Sequence, residues 1–130
     1  MSALERIGTR YFYVVKNVKL NSTMANSFCR DMGGYLAAFQ DQVELDAIKD
    51  KLKDEYFWLG INDRDNEGEF LSVVSGKPAK YLNWQRAQLD DDENNEDCVH
   101  IYGSKRVPQN MNDLNCAEQL HFICQFDNEI

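Results

Sequence analysis

Four cysteines, at positions 29, 98, 116 and 124, set the tightest limit on how this chain can fold. No two of them form a C-x-x-C pair, so the spacing does not match a structural zinc site and disulfides fit better. Four cysteines allow three pairings, and spacing alone leaves all three open. Disulfides in a small acidic domain point to an oxidising compartment and hence to export. The chain opens MSALERIG, which has neither the basic nor the apolar region of a signal peptide. Export therefore implies a leader already removed; the sequon Asn21-Ser22-Thr23 is compatible with that.

A length of 130 residues holds one domain. Its expected bounds are 11–130, behind an N-terminal extension over 1–10. No apolar run approaches the ~20 residues of a membrane span. The formal net charge of -8 provides no basic face for nucleic acid and favours cation binding or plain solubility.

Local pattern places the elements. Tyr11 to Val15 is aromatic and β-branched, which suits a strand. A helix should follow, capped by Asn21 or Ser22, with Met24, Phe28 and Met32 on one face and Gly33-Gly34 at its end. A second helix begins at Asp41-Gln42-Val43-Glu44, a variant capping box, and carries Leu45, Ile48 and Leu52 on one face. Its Lys49, Asp50, Lys51, Lys53 and Asp54 read as a solvated face. Strand-like runs follow at Phe57–Ile61, Phe70–Val74, Tyr81–Trp84, Cys98–Tyr102 and His121–Phe126, separated by Gly, Asn and Asp. Two helices followed by several strands make an α+β arrangement. The interval 85–97 has no periodicity, and a structureless loop of that length in a compact domain is usually functional or disordered.

That interval ends in the run from Asp90 to Asp97, where Asp90, Asp91, Asp92, Glu93, Glu96 and Asp97 are all carboxylates. Such a run repels itself and reads either as a solvated loop or as a ligand set for a hard cation. Calcium takes six to eight oxygen ligands in loose geometry. Asp63 and Glu67, the run from Gln88 to Asp97, and Asn112-Asp113 could supply them. Taken alone, Asp63 and Glu67 read first as turn residues and Asn112-Asp113 as an Asx turn.

In order and spacing these segments resemble the carbohydrate-recognition domain of the C-type lectin family, over nearly the whole chain from about Tyr11 to Phe126. The family's W-L-G-I strand stands at Trp58-Leu59-Gly60-Ile61, its N-W frame at Asn83-Trp84, its E-D-C-V at Glu96-Asp97-Cys98-Val99, and its closing F-I-C at Phe122-Ile123-Cys124. The resemblance implies a double-loop α+β fold, antiparallel sheets with a long calcium-binding loop, and disulfides Cys29–Cys124 and Cys98–Cys116. It also implies two calcium sites. The primary one would use Gln88, Asp90, Glu96, Asn112 and Asp113. The auxiliary one would use Asp63, Glu67, Asp91, Asp97 and the bridging Glu96. Asp92 and Glu93 have no assigned role.

Two positions depart from the pattern. The family's triplet proline, usually preceded by a cis bond, is Leu89 here, and a non-proline cis bond costs ~2.5–4 kcal/mol against roughly 0.5–1 for proline. The loop then either carries that cost or takes another path, and calcium affinity should suffer. The family's W-N-D reads Met111-Asn112-Asp113, in which methionine can fill the apolar space of the tryptophan.

The implied function is calcium-dependent binding of glycans or glycoproteins. A vicinal diol replaces two waters on the ion while its hydroxyls bond the ion's own ligands. In related lectins Q-P-D goes with galactose-type ligands and E-P-N with mannose-type ones, so Gln88-Leu89-Asp90 leans toward galactose, with fucose or mannose as the other expectations. Leu114 is the expected apolar contact. No catalysis is expected, because carboxylates engaged with calcium leave no general acid and neither His100 nor His121 sits in a triad frame. The alternative is a C-type lectin-like domain that binds protein or lipid without calcium.

Overall fold

The computed structural model describes residues 4–53, 55–64, 69–80, 82, 98–103 and 111–127, with Asp113 described through its backbone alone. Both helices begin where the sequence caps them. Helix α1 (Ser22–Asp31) follows Asn21, whose extended backbone turns Oδ1 to accept from the Met24 N–H at 2.8 Å. It ends on Gly33 at φ 92°, the left-handed conformation that glycine adopts without a Cβ clash. The Gly33 N–H donates to the Arg30 carbonyl and the Gly34 N–H to that of Cys29, so two orphan carbonyls are satisfied in a Schellman arrangement. Helix α2 (Gln42–Lys49) follows Asp41, whose Oδ1 accepts from the Glu44 N–H at 3.0 Å. The reciprocal half of the capping box is displaced: Glu44 Oε1 accepts from the Gln40 N–H rather than that of Asp41.

The strands are β1 (Leu4–Ile7), β2 (Arg10–Leu20), β3 (Tyr35–Leu36), β4 (Tyr56–Asn62), β5 (Leu71–Ser72), β6 (Cys98–Tyr102), β7 (Met111–Leu114) and β8 (Leu120–Gln125). They form a sheet in the order β1-β2-β8-β4-β6-β7, with β3 beside β8 and β5 beside β4. All pairings are antiparallel except β4 with β8. With the two helices among the described residues, the chain has the α+β fold expected from its sequence.

Alternation along the strands divides the core in two. Phe12, Phe57, Leu59, Ile61, Val99, Ile101 and Ile123 face one side, where α2 adds Leu45 and Ile48, with Leu52 just beyond it. Val15, Trp58, Cys98, Phe122 and Cys124 face the other, where α1 adds Ala25 and Cys29. Side chains of successive strand residues point to opposite faces, so a central strand covered on both sides is apolar throughout. That is why Phe57 to Ile61 reads as a continuous apolar run. Gly60 sits where a Cβ would collide with the Leu36 carbonyl, and its N–H donates to Ala37 at 2.7 Å. The Trp58 indole N–H is shared between the carbonyls of Leu20 and Glu118, at 3.0 and 3.1 Å.

Both disulfides are present, Cys29–Cys124 and Cys98–Cys116. The first joins α1 to β8 across 95 residues, a loop closure that contributes roughly 4–5 kcal/mol in the chain-entropy model.

Several local expectations are corrected. The Met24–Phe28–Met32 stripe is not the buried face of α1: Met24 and Met32 are 53% and 43% exposed, while Ser22, Ala25 and Cys29 are buried. The disulfide ties Cys29 to β8, and the small side chains of Ser22 and Ala25 lie buried on that same face of the helix. Phe28 alone turns partly inward, edge-on to Phe122. Lys49 is buried, not solvated, with its ammonium 3.6 Å from Asp46. Asp50, Lys51 and Lys53 are exposed as expected, and Asp54 lies outside the described residues. The strand expected over Phe70–Val74 is reduced to Leu71–Ser72 before the chain turns. The run Tyr81–Trp84 and the interval 85–97 lie outside the described residues, apart from Leu82.

A polar cluster closes one end of the larger core. Arg10, 5% exposed, donates from Nη1 to Glu44 Oε1 at 2.7 Å and to the Ala38 carbonyl at 3.3 Å. Its Nε and Nη2 donate to Asp127 at 2.9 and 3.2 Å, and its Cζ lies 4.8 Å above the Phe12 ring. Gln125, fully buried, accepts from the Ala38 N–H and donates to Asp127. One guanidinium thus ties β2, α2 and the end of β8 together.

Candidate functional site

Strands β6 and β7 hold the expected ligand pair. Their register sets Cys98 opposite Leu114, Val99 opposite Asp113, His100 opposite Asn112 and Ile101 opposite Met111. Asn112-Asp113 is therefore part of a strand, not an Asx turn. Met111, at the tryptophan position of the family, is fully buried in the larger core, as a packing role requires. The Cys98–Cys116 link clamps the start of β6 to the residues just after β7, and the Cys116 carbonyl accepts from the Ser22 N–H at 3.0 Å.

Asp63 reaches the same end of the sheet from β4. Asn62 pairs with Cys98, so the residue after it lies at the end of the sheet where β6 starts and β7 finishes, with β6 between it and β7. The turn there is held by the Asn62 amide oxygen, which accepts from the Arg64 N–H, and by Arg64 Nη1 donating to Thr23 Oγ1 of α1 at 3.1 Å. Asp63 is 2% exposed and its Oδ1 is closed to solvent. Burying a carboxylate is costly unless positive charge or donors compensate it. Asp63 has partners within the protein, and a cation at this sheet end would add to their compensation; the side-chain oxygens of Asp63 and Asn112 are donor types that suit a hard ion.

The structure thus brings Asp63, Asn112, the Asp113 backbone and Leu114 to one region. Gln88, Asp90, Asp91, Glu96, Asp97 and Glu67, as well as Leu89, lie outside the described residues. Among the described residues, no three His, Cys, Asp or Glu side chains converge.

His100 is a residue that sequence reasoning missed. Its Nδ1 lies 3.0 Å from the Asn112 carbonyl, which can only accept, so Nδ1 carries the proton and Nε2 is an acceptor. Its ring lies 6.2 Å from the Trp58 ring and 5.4 Å from that of Tyr56. Burial pushes the His100 pKa down from 6.5 to about 4, and the bond to Asn112 opposes that only in part. A neutral imidazole therefore props the backbone of Asn112. Only the β6–β7 register reveals this contact. His121, by contrast, meets Glu55 at 2.8 Å.

The chain belongs to the C-type lectin domain family, whose model, described as Lectin C-type domain, matches residues 18–126. C-type lectin 37Db of Drosophila melanogaster is 34% identical over 122 residues, covering 93% of this chain and 80% of that protein. Accessory gland protein Acp29AB of the same species is 32% identical over 98% of this chain, which spans only 52% of Acp29AB. The mouse scavenger receptor C-type lectin carbohydrate-recognition domain superposes with a TM-score of 0.84 at 26% identity, covering 98% of this chain and 96% of that one. A calcium-independent type II antifreeze protein shares the fold, with a TM-score of 0.83 at 23% identity over 96% of this chain and 92% of that one. No helix among the described residues is long and apolar enough to cross a membrane.

Proposed function

We propose that this chain is a secreted, calcium-dependent lectin domain that binds galactose-type glycans and catalyses no reaction. The observation that carries the proposal is the pairing of Asn112-Asp113 with β6, whose other neighbour, β4, ends just before the buried Asp63, in a chain of the C-type lectin family. Gln88, Asp90, Glu96, Asn112 and Asp113 would hold the primary ion. Asp63, Glu67, Asp91, Glu96 and Asp97 would hold the auxiliary one. Calcium, when bound, offers coordination positions to two vicinal hydroxyls of the sugar. The chain's own groups do the rest: carboxylates accept from the hydroxyls, amide N–H groups of Gln88 and Asn112 donate to them, and Leu114 covers an apolar edge. Gln88 and Asp90, with acid and amide in the galactose order, carry the preference. The two disulfides fit an oxidising, extracellular setting.

A glycan array run with calcium and with EDTA tests the proposal. Binding to galactose-terminated glycans that EDTA abolishes is the expected result, with Glu96→Gln and Asp113→Asn each losing it while remaining folded. Binding that survives EDTA would replace this function with calcium-independent recognition of another ligand.

A further inference from the structure

One motif of the sequence takes no part in sugar binding: the sequon Asn21-Ser22-Thr23. The fold leaves its asparagine an available nitrogen. Asn21 caps α1 through Oδ1, which accepts from the Met24 N–H at 2.8 Å. Its Nδ2 makes no hydrogen bond among the described residues and is not closed off from solvent. N-linked glycosylation replaces one hydrogen on that nitrogen and leaves the oxygen alone, so the cap and a glycan can coexist.

Beside the sequon runs an apolar face that the protein itself does not cover. Met24 stands three positions after Asn21 and Phe28 four positions after Met24, which stacks the three side chains along one side of the helix. Met24 is exposed and Phe28 is only partly buried. An N-acetylglucosamine tethered at Asn21 brings the C–H face of its ring and its acetyl methyl over these two side chains. The remaining sequon residues are engaged. The transferase reads the hydroxyl two positions after the asparagine, yet Thr23 Oγ1 accepts from Arg64 Nη1 at 3.1 Å. Ser22 is buried, with its N–H on the Cys116 carbonyl. The sequon is therefore readable only before α1 docks.

We propose that Asn21 carries an N-linked glycan, attached before α1 docks, whose first sugar covers Met24 and the adjoining part of Phe28. In the transfer, Nδ2 bonds to the anomeric carbon of a lipid-diphosphate-linked oligosaccharide, the bond from that carbon to the diphosphate oxygen breaks, Nδ2 gives up one proton, and the lipid diphosphate leaves. The inference rests on the secretion proposed above.

It is tested by expressing the chain behind a cleavable secretion signal in cultured mammalian cells and mapping its peptides, from medium and from lysate, before and after peptide N-glycosidase, which removes the glycan and leaves aspartate at position 21. Wild type should run as a heavier band that the glycosidase collapses. Asn21→Gln and Thr23→Ala should lack that shift, and Thr23→Ser should keep it in part. Dilute peroxide should oxidise Met24 several-fold more slowly in the glycosylated than in the deglycosylated protein, with the exposed Met32 as internal reference. Solubilised transferase should modify the reduced, unfolded chain and leave the folded, unmodified chain unchanged. Secreted, disulfide-paired protein with Asn21 unmodified would overturn the site and leave secretion standing. Equal oxidation of Met24 in the two forms would overturn the cover, and equal modification of the folded chain the order of events. A chain kept inside the cells with unpaired cysteines would count against secretion instead, and its peptide map still decides the site: a modified Asn21 upholds it and an unmodified one overturns it.

Discussion

Replacing Arg10 by methionine keeps much of the side-chain volume and removes every donor. Glu44, whose side chain is 11% exposed, and Asp127, 26% exposed, then lose their guanidinium partner. Breaking a buried pair by removing one partner costs about 3–5 kcal/mol, because the other charge is left uncompensated. Most of that falls on Glu44, since water can reach Asp127 in part. Glu44→Gln is milder: an amide oxygen in place of Oε1 can still accept from the Gln40 N–H and from Arg10, so the loss should be about 1–2 kcal/mol. In the double variant no carboxylate remains buried at position 44. Its destabilisation should therefore fall short of the sum of the singles by roughly 1–3 kcal/mol. Guanidinium unfolding with the disulfides intact measures this as a shift in midpoint at constant slope. The account fails if Arg10→Met lies within about 0.5 kcal/mol of wild type, or if the two losses simply add.

Calcium should raise thermal stability: for a Kd near ~10⁻⁴–10⁻³ M, about 10 mM calcium adds roughly 1.4–2.7 kcal/mol, so identical melting in calcium and EDTA would count against a metal site. Removing the Cys29–Cys124 link with the double Cys→Ala variant should cost roughly 4–5 kcal/mol, read by denaturation against wild type. In EDTA, His100 should make stability fall with acid. Its folded pKa lies below the unfolded value, so its contribution is complete above pH 6.5 and is lost as pH drops toward about 4, by about 3 kcal/mol in all. His100→Gln should flatten that part of the pH–stability curve, and an unchanged slope would exclude His100 as its source.

What the sequence determined by itself is what a few neighbouring residues can settle. Asn21 and Asp41 cap their helices through bonds to residues three positions on, and Gly33 ends the first because a left-handed residue is needed there. The apolar run Phe57–Ile61 announced a strand, and the fold showed that both its faces are covered. The cysteine pairing did not follow from spacing; the family resemblance implied it and the fold bears it out, since only the sheet order sets Cys29 beside Cys124. Tertiary structure alone decided which face of α1 is buried: the disulfide turns Cys29 and with it Ala25 toward β8, and Met24 is left exposed. It also buried Lys49 and assembled the Arg10 cluster from residues up to 117 positions apart. The site divides the same way. The family resemblance, not residue type alone, proposed Asp63, Asn112 and Asp113 as oxygen ligands, and the role of His100 depends on strand register. A shift of one residue would move its ring to the other face, and no local pattern records that choice.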